Sequence, residues 1–374
     1  MTFGLPDPGS LAFDGGVERS VRVTTPSRLL SLATASPPHI IDQHDAAAAC
    51  ERLFAGRYRE FERLSQVFTT TGIRQRQSVR PIEWFFEARG WPERTAAYLE
   101  GAEALFVDCA TKALDIAGVA AGEIDSIVTV SSTGIATPSL EARVMTRMGF
   151  RNDVQRVPVF GLGCAGGVSG LSLADRLARA NPGSKVLFVT IEICTLAFRL
   201  DELTKANIVA TALFGDGAAA CVLSTEGRSP LVIEGAGEHT WYDTLDIMGW
   251  NVDPQGFGVI FARSIPPFAT KHLGPAMEGI LARLGLSMGD VDRFVCHPGG
   301  SKVVTALESA YRLDQGSLDH EREILAEHGN MSAPTVMFVC EQVMRREGLP
   351  RRSVLSSLGP GFTASALSLI NEAA

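Results

Sequence analysis

The octapeptide Ala121–Val128 (AGEIDSIV) returns 167 positions later as Met288–Val295 (MGDVDRFV). Each copy follows a helix-like stretch and leads into an apolar strand. The same spacing sets Gly163 and Cys164 opposite Asn330 and Met331, and each pair precedes an apolar helix of about 20 residues. At a spacing of 168, Lys185–Leu187 falls opposite Ser353–Leu355. We read this as one α/β half built twice. Chance likeness between two α/β units is the competing account. Two such halves packed face to face would bring Cys164, near the start of one half's helix, close to residues of the other. The length fits, because 374 residues exceed the ~100–200 of a typical domain. The expected division is 1–230, carrying Cys164, and 231–374, carrying the C-terminal motifs.

Between the repeats the pattern is that of alternating helices and strands. Residues 1–25 read as an irregular leader, and Asp45–Phe68 as a helical stretch interspersed with Arg52, Arg57, Arg59 and Arg63. Pro92–Ala117 has helical apolar spacing, and Ile124–Val130 reads as a strand. Val157–Phe160 is a strand that runs into a Gly-rich turn and then a helix ending at Asn181-Pro182-Gly183. Lys185–Ile193 is a buried strand.

Composition excludes several functions. The formal net charge of -8 argues against nucleic acid as a partner, because phosphate binding needs basic surface. Residues 1–10 lack the basic and apolar regions of a signal peptide, and no run approaches the ~18 apolar residues of a membrane span. The seven cysteines are scattered with no CxxC pair. That is the usage of a reduced, cytoplasmic protein without a disulfide framework or a zinc site.

Three short motifs carry candidate chemistry. In Phe160–Gly170 (FGLGCAGGVSG), Cys164 sits among glycines between a strand and a helix, the layout of a nucleophile elbow. The helix N-terminus is expected to lower the thiol pKa from ~8.5, and its N–H groups to bind an oxyanion. A buried structural cysteine in a tight turn is the alternative. In Phe294–Ser301 (FVCHPGGS), His297 ends an apolar strand and is a candidate general base, with a capping histidine as the alternative. Cys296 points to the other face, toward the core. In Glu327–Pro334 (EHGNMSAP), Asn330 could donate its side-chain amide to a carbonyl oxygen, or could be a turn or N-cap residue. His328 reads as a structural neighbour. Papain-like hydrolases also use Cys, His and Asn, but with other local motifs.

GxGCAGG, CHPGG and HGNMSAP, together with ALFGDGAAA at Ala212–Ala220 and LGPGFTA at Leu358–Ala364, resemble the type III polyketide synthases of the chalcone/stilbene synthase family. The likeness runs from about residue 25 to the C-terminus. It implies a duplicated, five-layered αβαβα thiolase fold, a homodimer and no bound cofactor, with coenzyme A thioesters reaching Cys164 through long tunnels. Cys164, His297 and Asn330 match the family triad, and Phe214 matches one gatekeeper phenylalanine. The other gatekeeper position falls at Val259, a departure expected to widen the passage. Two cavity threonines of the plant enzymes are replaced by Cys194 and Ala197. Ser132, Thr133 and Ser332 match polar cavity residues, Trp250 stands where the plant enzymes carry a glycine, and Thr137 matches the residue that reaches the neighbouring subunit. Arg63 and the group Arg74, Arg76 and Arg80 are candidates for the phosphates of coenzyme A.

The resemblance implies an order of events. Cys164, paired with His297 as thiolate and imidazolium, takes a starter acyl group from coenzyme A. His297 and Asn330 stabilise the enolate formed as malonyl-CoA loses CO₂, the apolar wall at Phe214 favours that loss, and the enolate extends the chain. The Met248–Asn251 and Ile265–Phe268 segments resemble bacterial alkylresorcinol and alkylpyrone synthases, which implies a fatty acyl starter with two or three malonyl units. A ketoacyl-ACP synthase III shares the fold and triad but carries GNTS- and HQAN-type motifs. A non-catalytic protein of the thiolase fold is the third reading.

Overall fold

The computed structural model describes residues 25–57 and 61–374, so the leader reading falls almost wholly outside the described residues, as does Arg59. The first half comprises β1 (Arg28–Ala35), β2 (His39–Asp42), α1 (Gln43–Phe54), α2 (Phe61–Ser65), α3 (Val67–Thr70), β3 (Gln75–Ser78) and α4 (Trp91–Ala117). It continues through β4 (Ser126–Val130), α5 (Leu140–Met148), β5 (Gln155–Val159), α6 (Gly166–Ala180), β6 (Val186–Ile193), α7 (Lys205–Leu213) and β7 (Asp216–Ser224). The second half comprises β8 (Leu231–Thr240), β9 (Met248–Asp253), β10 (Gly256–Phe261), α8 (Ile265–Arg283), β11 (Arg293–Cys296) and α9 (Ser301–Tyr311). It ends with α10 (Asp319–His328), α11 (Thr335–Arg346), β12 (Arg352–Gly359) and β13 (Thr363–Asn371).

The repeat is visible in the topology. Nine strands lie in the order β11-β12-β13-β8-β1-β7-β6-β4-β5, and the run β4-β6-β7-β1 is matched by β11-β12-β13-β8. In each run the first pair is parallel and the next two are antiparallel. The two runs touch through a single register pair, Arg28 with Val232. The repeated octapeptides begin with matching 3-10 turns at Ala121–Glu123 and Met288–Asp290.

Three apolar cores separate five layers. One core lies between α4 and the first run of strands, around Phe106, Ile127 and Leu187. A second lies between α8, α9 and the second run, around Met277, Val304 and Val354. The third holds α6 and α11 between the two runs, with Leu171, Val339, Phe188 and Leu367. Strands sandwiched this way are apolar on both faces, and all eight residues of β6 are buried.

α6 has 15 residues and stops at the Asn181 turn as expected, whereas α11, with 12, is shorter than expected. The start of α11 is delayed because Ser332 adopts a positive φ of 58°, and Gly348, at φ 75°, closes its far end. The stretch Asp45–Phe68 is likewise not one helix but falls in α1, α2 and α3.

Candidate active site

The N-termini of α6 and α11 abut. A Cβ on Gly167 would stand 2.3 Å from the Ala333 carbonyl oxygen, so only glycine allows this approach. Just upstream, the chain leaves β5 and turns through Gly163, whose φ of 48° and proximity to Pro360 exclude a side chain. Ser132 Oγ accepts from the Gly161 and Gly163 N–H groups at 3.2 and 3.1 Å and fixes the turn. Cys164 is thereby held in a 3-10 turn, Gly163–Ala165, at the head of α6.

His297 follows β11, its N–H bonded to Ser356 O at 2.8 Å. Asn330 is clamped by its backbone to Leu213 and Gly215, so that it pairs with Phe214 as an isolated bridge. Its side chain is oriented too. Oδ1 accepts from Ser332 N at 2.8 Å, and Nδ2 donates to Gly299 O at 3.1 Å, which leaves one amide hydrogen to offer. Cys164, His297 and Asn330, from three separate elements, line one cavity together with Met248, Phe261 and Leu358. Both ring nitrogens of His297 are buried and without a protein partner among the described residues.

The electrostatics differ from the expectation that the helix start lowers the thiol pKa. Burial pushes the Cys164 thiol up to about 11. A hydrogen bond from Ser332 pulls it down and the Glu192 charge raises it, neither by as much. Burial also pushes His297 down to about 4. Neither group favours carrying a charge alone. Transfer of the thiol proton to His297 would give a thiolate and imidazolium that together are net neutral.

A neighbouring cavity shares Cys164, Asn330, Met248 and Phe261 with the first and adds most of the expected wall. Ser132, Thr133, Cys194, Phe214, Trp250, Val259 and Ser332 all line it. Ser132 and Thr133 are committed elsewhere, however: both hold the buried Glu192 carboxyl, through Ser132 N at 3.0 Å and Thr133 Oγ1 at 2.8 Å. Glu192 was not foreseen. Burial pushes it up to about 8. A lone acid inside the apolar run KVLFVTIEI was the available signal.

Two expectations about the wall need correction. Ala197 does not line the cavity among the described residues but packs with Ala210 and Val259 in a small apolar cluster, because the turn Cys194–Ala197 aims Cys194 inward instead. Val259 does not simply widen the passage. It pairs directly with Trp250 across β9 and β10, on the same face of the ribbon. The indole meets Phe214 edge-on at 6.1 Å and donates Nε1–H to Ser132 O at 2.8 Å, so it refills the space.

A wide cleft leads in from solvent and shares Phe261, Ile265, Gly299 and Val303 with the cavity that Cys164, His297 and Asn330 line. Arg63 lines it as expected. Lys205, Arg263 and Lys302 join it, far apart in sequence and so unseen there. The other arginine candidates lie elsewhere. Arg74 bonds Glu327 at 2.8 Å, Arg80 pairs with Glu100, and Arg76 is buried. His328 is structural, as expected, bonded to Gln77 at 2.7 Å, and Cys296 is in the core. Among the described residues no helix is long and apolar enough to cross a membrane.

Comparison with known proteins gives consistent matches. The chalcone and stilbene synthase N-terminal domain matches residues 15–227, and the C-terminal domain matches residues 242–371. A 1,3,6,8-tetrahydroxynaphthalene synthase of Streptomyces peucetius is 37% identical over 355 residues, covering 93% of this chain and 94% of the relative. The alpha-pyrone synthesis polyketide synthase-like Pks18 of Mycobacterium tuberculosis is 28% identical over 360 residues, covering 92% and 91%. The crystal structure of 1,3,6,8-tetrahydroxynaphthalene synthase from Streptomyces coelicolor, a bacterial type III polyketide synthase, superposes with a TM-score of 0.88 at 27% identity. It covers 93% of this chain and all of that one.

Proposed function

This chain belongs to the chalcone and stilbene synthase family and is a type III polyketide synthase acting on coenzyme A thioesters, and we propose that Cys164, His297 and Asn330 do its chemistry on a fatty acyl starter. The observation that carries the assignment is the single cavity all three line, at the inner end of a basic cleft. The starter's coenzyme A lies along the cleft, its phosphates near Arg63, Lys205, Arg263 and Lys302. Cys164 Sγ attacks the thioester carbonyl as its proton passes to His297, and that proton leaves with the coenzyme A thiolate.

Malonyl-CoA then places its thioester oxygen between the N–H of the neutral His297 ring and the remaining Asn330 amide hydrogen. Loss of CO₂ puts the electron pair into an enolate whose oxygen those two donors stabilise. Phe214, half-buried above the site, makes a poor environment for the malonyl carboxylate. The enolate carbon attacks the Cys164 thioester and expels the Cys164 thiolate, leaving the extended chain on coenzyme A; that thiolate then takes the chain back as the coenzyme A thiolate departs. After two or three malonyl units the chain closes to a resorcinol or a pyrone.

A second reading is supported by Trp250, which narrows the cavity, and by the 37% identical relative, whose named product carries no alkyl chain. Mass spectrometry of products from malonyl-CoA alone and with acyl-CoAs of graded length separates the two. Naphthalene products from malonyl-CoA alone, with fatty acyl-CoAs ignored, would overturn the fatty acyl reading. Condensation retained in Cys164→Ala would overturn the mechanism.

The enzyme is further proposed to work as a homodimer in the cytoplasm. β5 ends the sheet with one side unpaired among the described strands, and Ile135, Thr137 and Phe160 are exposed beside it. All seven cysteines are free, which suits a reducing compartment.

A further inference from the structure

β9 and β10 bond only to each other among the described strands and stand outside the nine-stranded sheet. A two-stranded ribbon of that kind is marginal by itself, so side chains must fix its position. Its inner end is fixed by Trp250, bonded to Ser132 O and packed on Phe214. Its outer end is fixed as well, by residues that lie away from the cavity. Arg199, only 6% exposed, donates Nη1–H to Asp253 Oδ2 at 2.6 Å. The Trp91 indole, at the start of α4, donates Nε1–H to Asp253 O at 3.0 Å.

The far side of this attachment is rigid. Asn207 is fully buried in α7 and pins the segment 199–202. Its Oδ1 accepts from Arg199 N at 3.2 Å, and its Nδ2 donates to Arg199 O at 2.7 Å and Glu202 O at 2.8 Å. The same helix ends at Phe214, so one element holds the cavity wall and the base of the attachment. A run of rings joins the two places: Trp91 to Phe257 at 5.1 Å, Phe257 to Trp250 at 5.8 Å, and Trp250 to Phe214 at 6.1 Å. Asp253 stands three residues past Trp250, about 10 Å along the strand. Holding the tip therefore limits how far the indole can swing.

We propose that Arg199, Asp253 and Trp91 form a latch that sets product length by holding Trp250 against Phe214. They are positioning residues, since none of them lines either cavity at Cys164. The proposal rests on the reading of Cys164 as acyl carrier and adds what keeps the wall of its cavity in place. Loss of the charged hydrogen bond to Asp253 should raise the fraction of open ribbon by about tenfold or more. Trp250 then leaves Phe214 more often, and the cavity admits a longer chain. Arg199 also bonds Asp201, so it keeps a counter-charge when Asp253 is neutralised.

The experiment uses the full-length enzyme and two conservative variants. Asp253→Asn keeps the Oδ1 that accepts from Gln255 N and Gly256 N at the turn and loses the charge. Trp91→Phe keeps a ring and loses the donor. Hydrogen exchange by mass spectrometry reads the opening of residues 248–261, and product mass spectra are taken with malonyl-CoA alone and with acetyl- to palmitoyl-CoA. The expected result is exchange about tenfold faster in the ribbon for Asp253→Asn. The ratio of products carrying extra malonyl units to the wild-type product should rise at least about fivefold in both variants, as it does in Trp250→Ala. Adding Asp253→Asn to Trp250→Ala should give no further shift, because the latch acts through that indole. A merely structural role would lower total turnover and leave the product ratio alone. Unchanged ribbon exchange, an unchanged product ratio, or a full additional shift in the double variant would each overturn the proposal. Failure of the Cys164 reading looks different: the wild type itself would form no acyl-Cys164 and no product with any substrate.

Discussion

Replacing His297 with alanine should turn Cys164 into an unusually unreactive cysteine. Burial pushes the thiol up to about 11, and in the variant no neighbouring base takes its proton. At pH 7 the ionised fraction of such a thiol is about 1 in 10,000, against about 3 in 100 for a free cysteine of pKa ~8.5, a factor of ~300. A more basic thiolate is also a better nucleophile, and a Brønsted slope of ~0.45 returns a factor of ~13. The net expectation is alkylation by iodoacetamide about 25-fold slower than that of free cysteine at pH 7. The rate should climb about tenfold per pH unit up to about pH 10. The wild type, in which the proton can pass to His297, should react faster at pH 7 and depend less steeply on pH. The assay is clean because the other six cysteines are buried, and peptide mass spectrometry assigns the label. A variant that is alkylated readily and uniformly from pH 6 to 9 would refute the reasoning. It would mean that the start of α6 alone ionises the thiol.

Gly167→Ala should destabilise the fold by about 1–3 kcal/mol and impair condensation, because the new methyl would push α6 away from Ala333; denaturant unfolding reads the loss, and wild-type stability would count against the close approach. Lys302→Ala and Arg263→Ala should each raise KM for malonyl-CoA by up to about fivefold, with the effect shrinking in high salt; salt-independent KM values would remove these residues from the phosphate path. Folded Glu192, pushed up to about 8, retains a proton that the unfolded chain releases near pH 4.5. Its contribution to stability is therefore full at acid pH and is lost as the pH rises toward and through 8. Relative to Glu192→Gln, the wild type should lose Tm between about pH 4.5 and 8 and level off above; a constant difference across that range would show that folding does not raise the Glu192 pKa.

The sequence made the centre of the site legible and its walls much less so. Cys164, His297 and Asn330 each sit where a strand or helix end forces the backbone, and the repeat indicated that the halves would meet. Local signals of that kind survive without a structure. The thiol's electrostatics did not follow from them, because the helix start was visible in the sequence while the depth of burial was not. Ala197 stands three residues from Cys194, yet the turn sends the two to different neighbours. The contact of Trp250 with Phe214 depends on how the β9–β10 ribbon folds over α7, and the basic cleft draws on residues from 63 to 302. The pocket at Cys194 and Phe214 joins residues 194–214 to residues 41–86, more than a hundred positions earlier, with no pattern in either segment to announce the other.

The two strand runs meet edge to edge at one register pair, Arg28 with Val232, and the residues proposed to do the chemistry are divided across the same boundary: Cys164 on one side, His297 and Asn330 on the other. On the proposed mechanism catalysis depends on the junction, whereas most backbone hydrogen bonding lies within each half. A partial opening along this seam would separate the nucleophile from its partners while leaving both halves largely folded. The enzyme would then fall silent before it melts, and its activity would gauge how firmly its two copies stay joined.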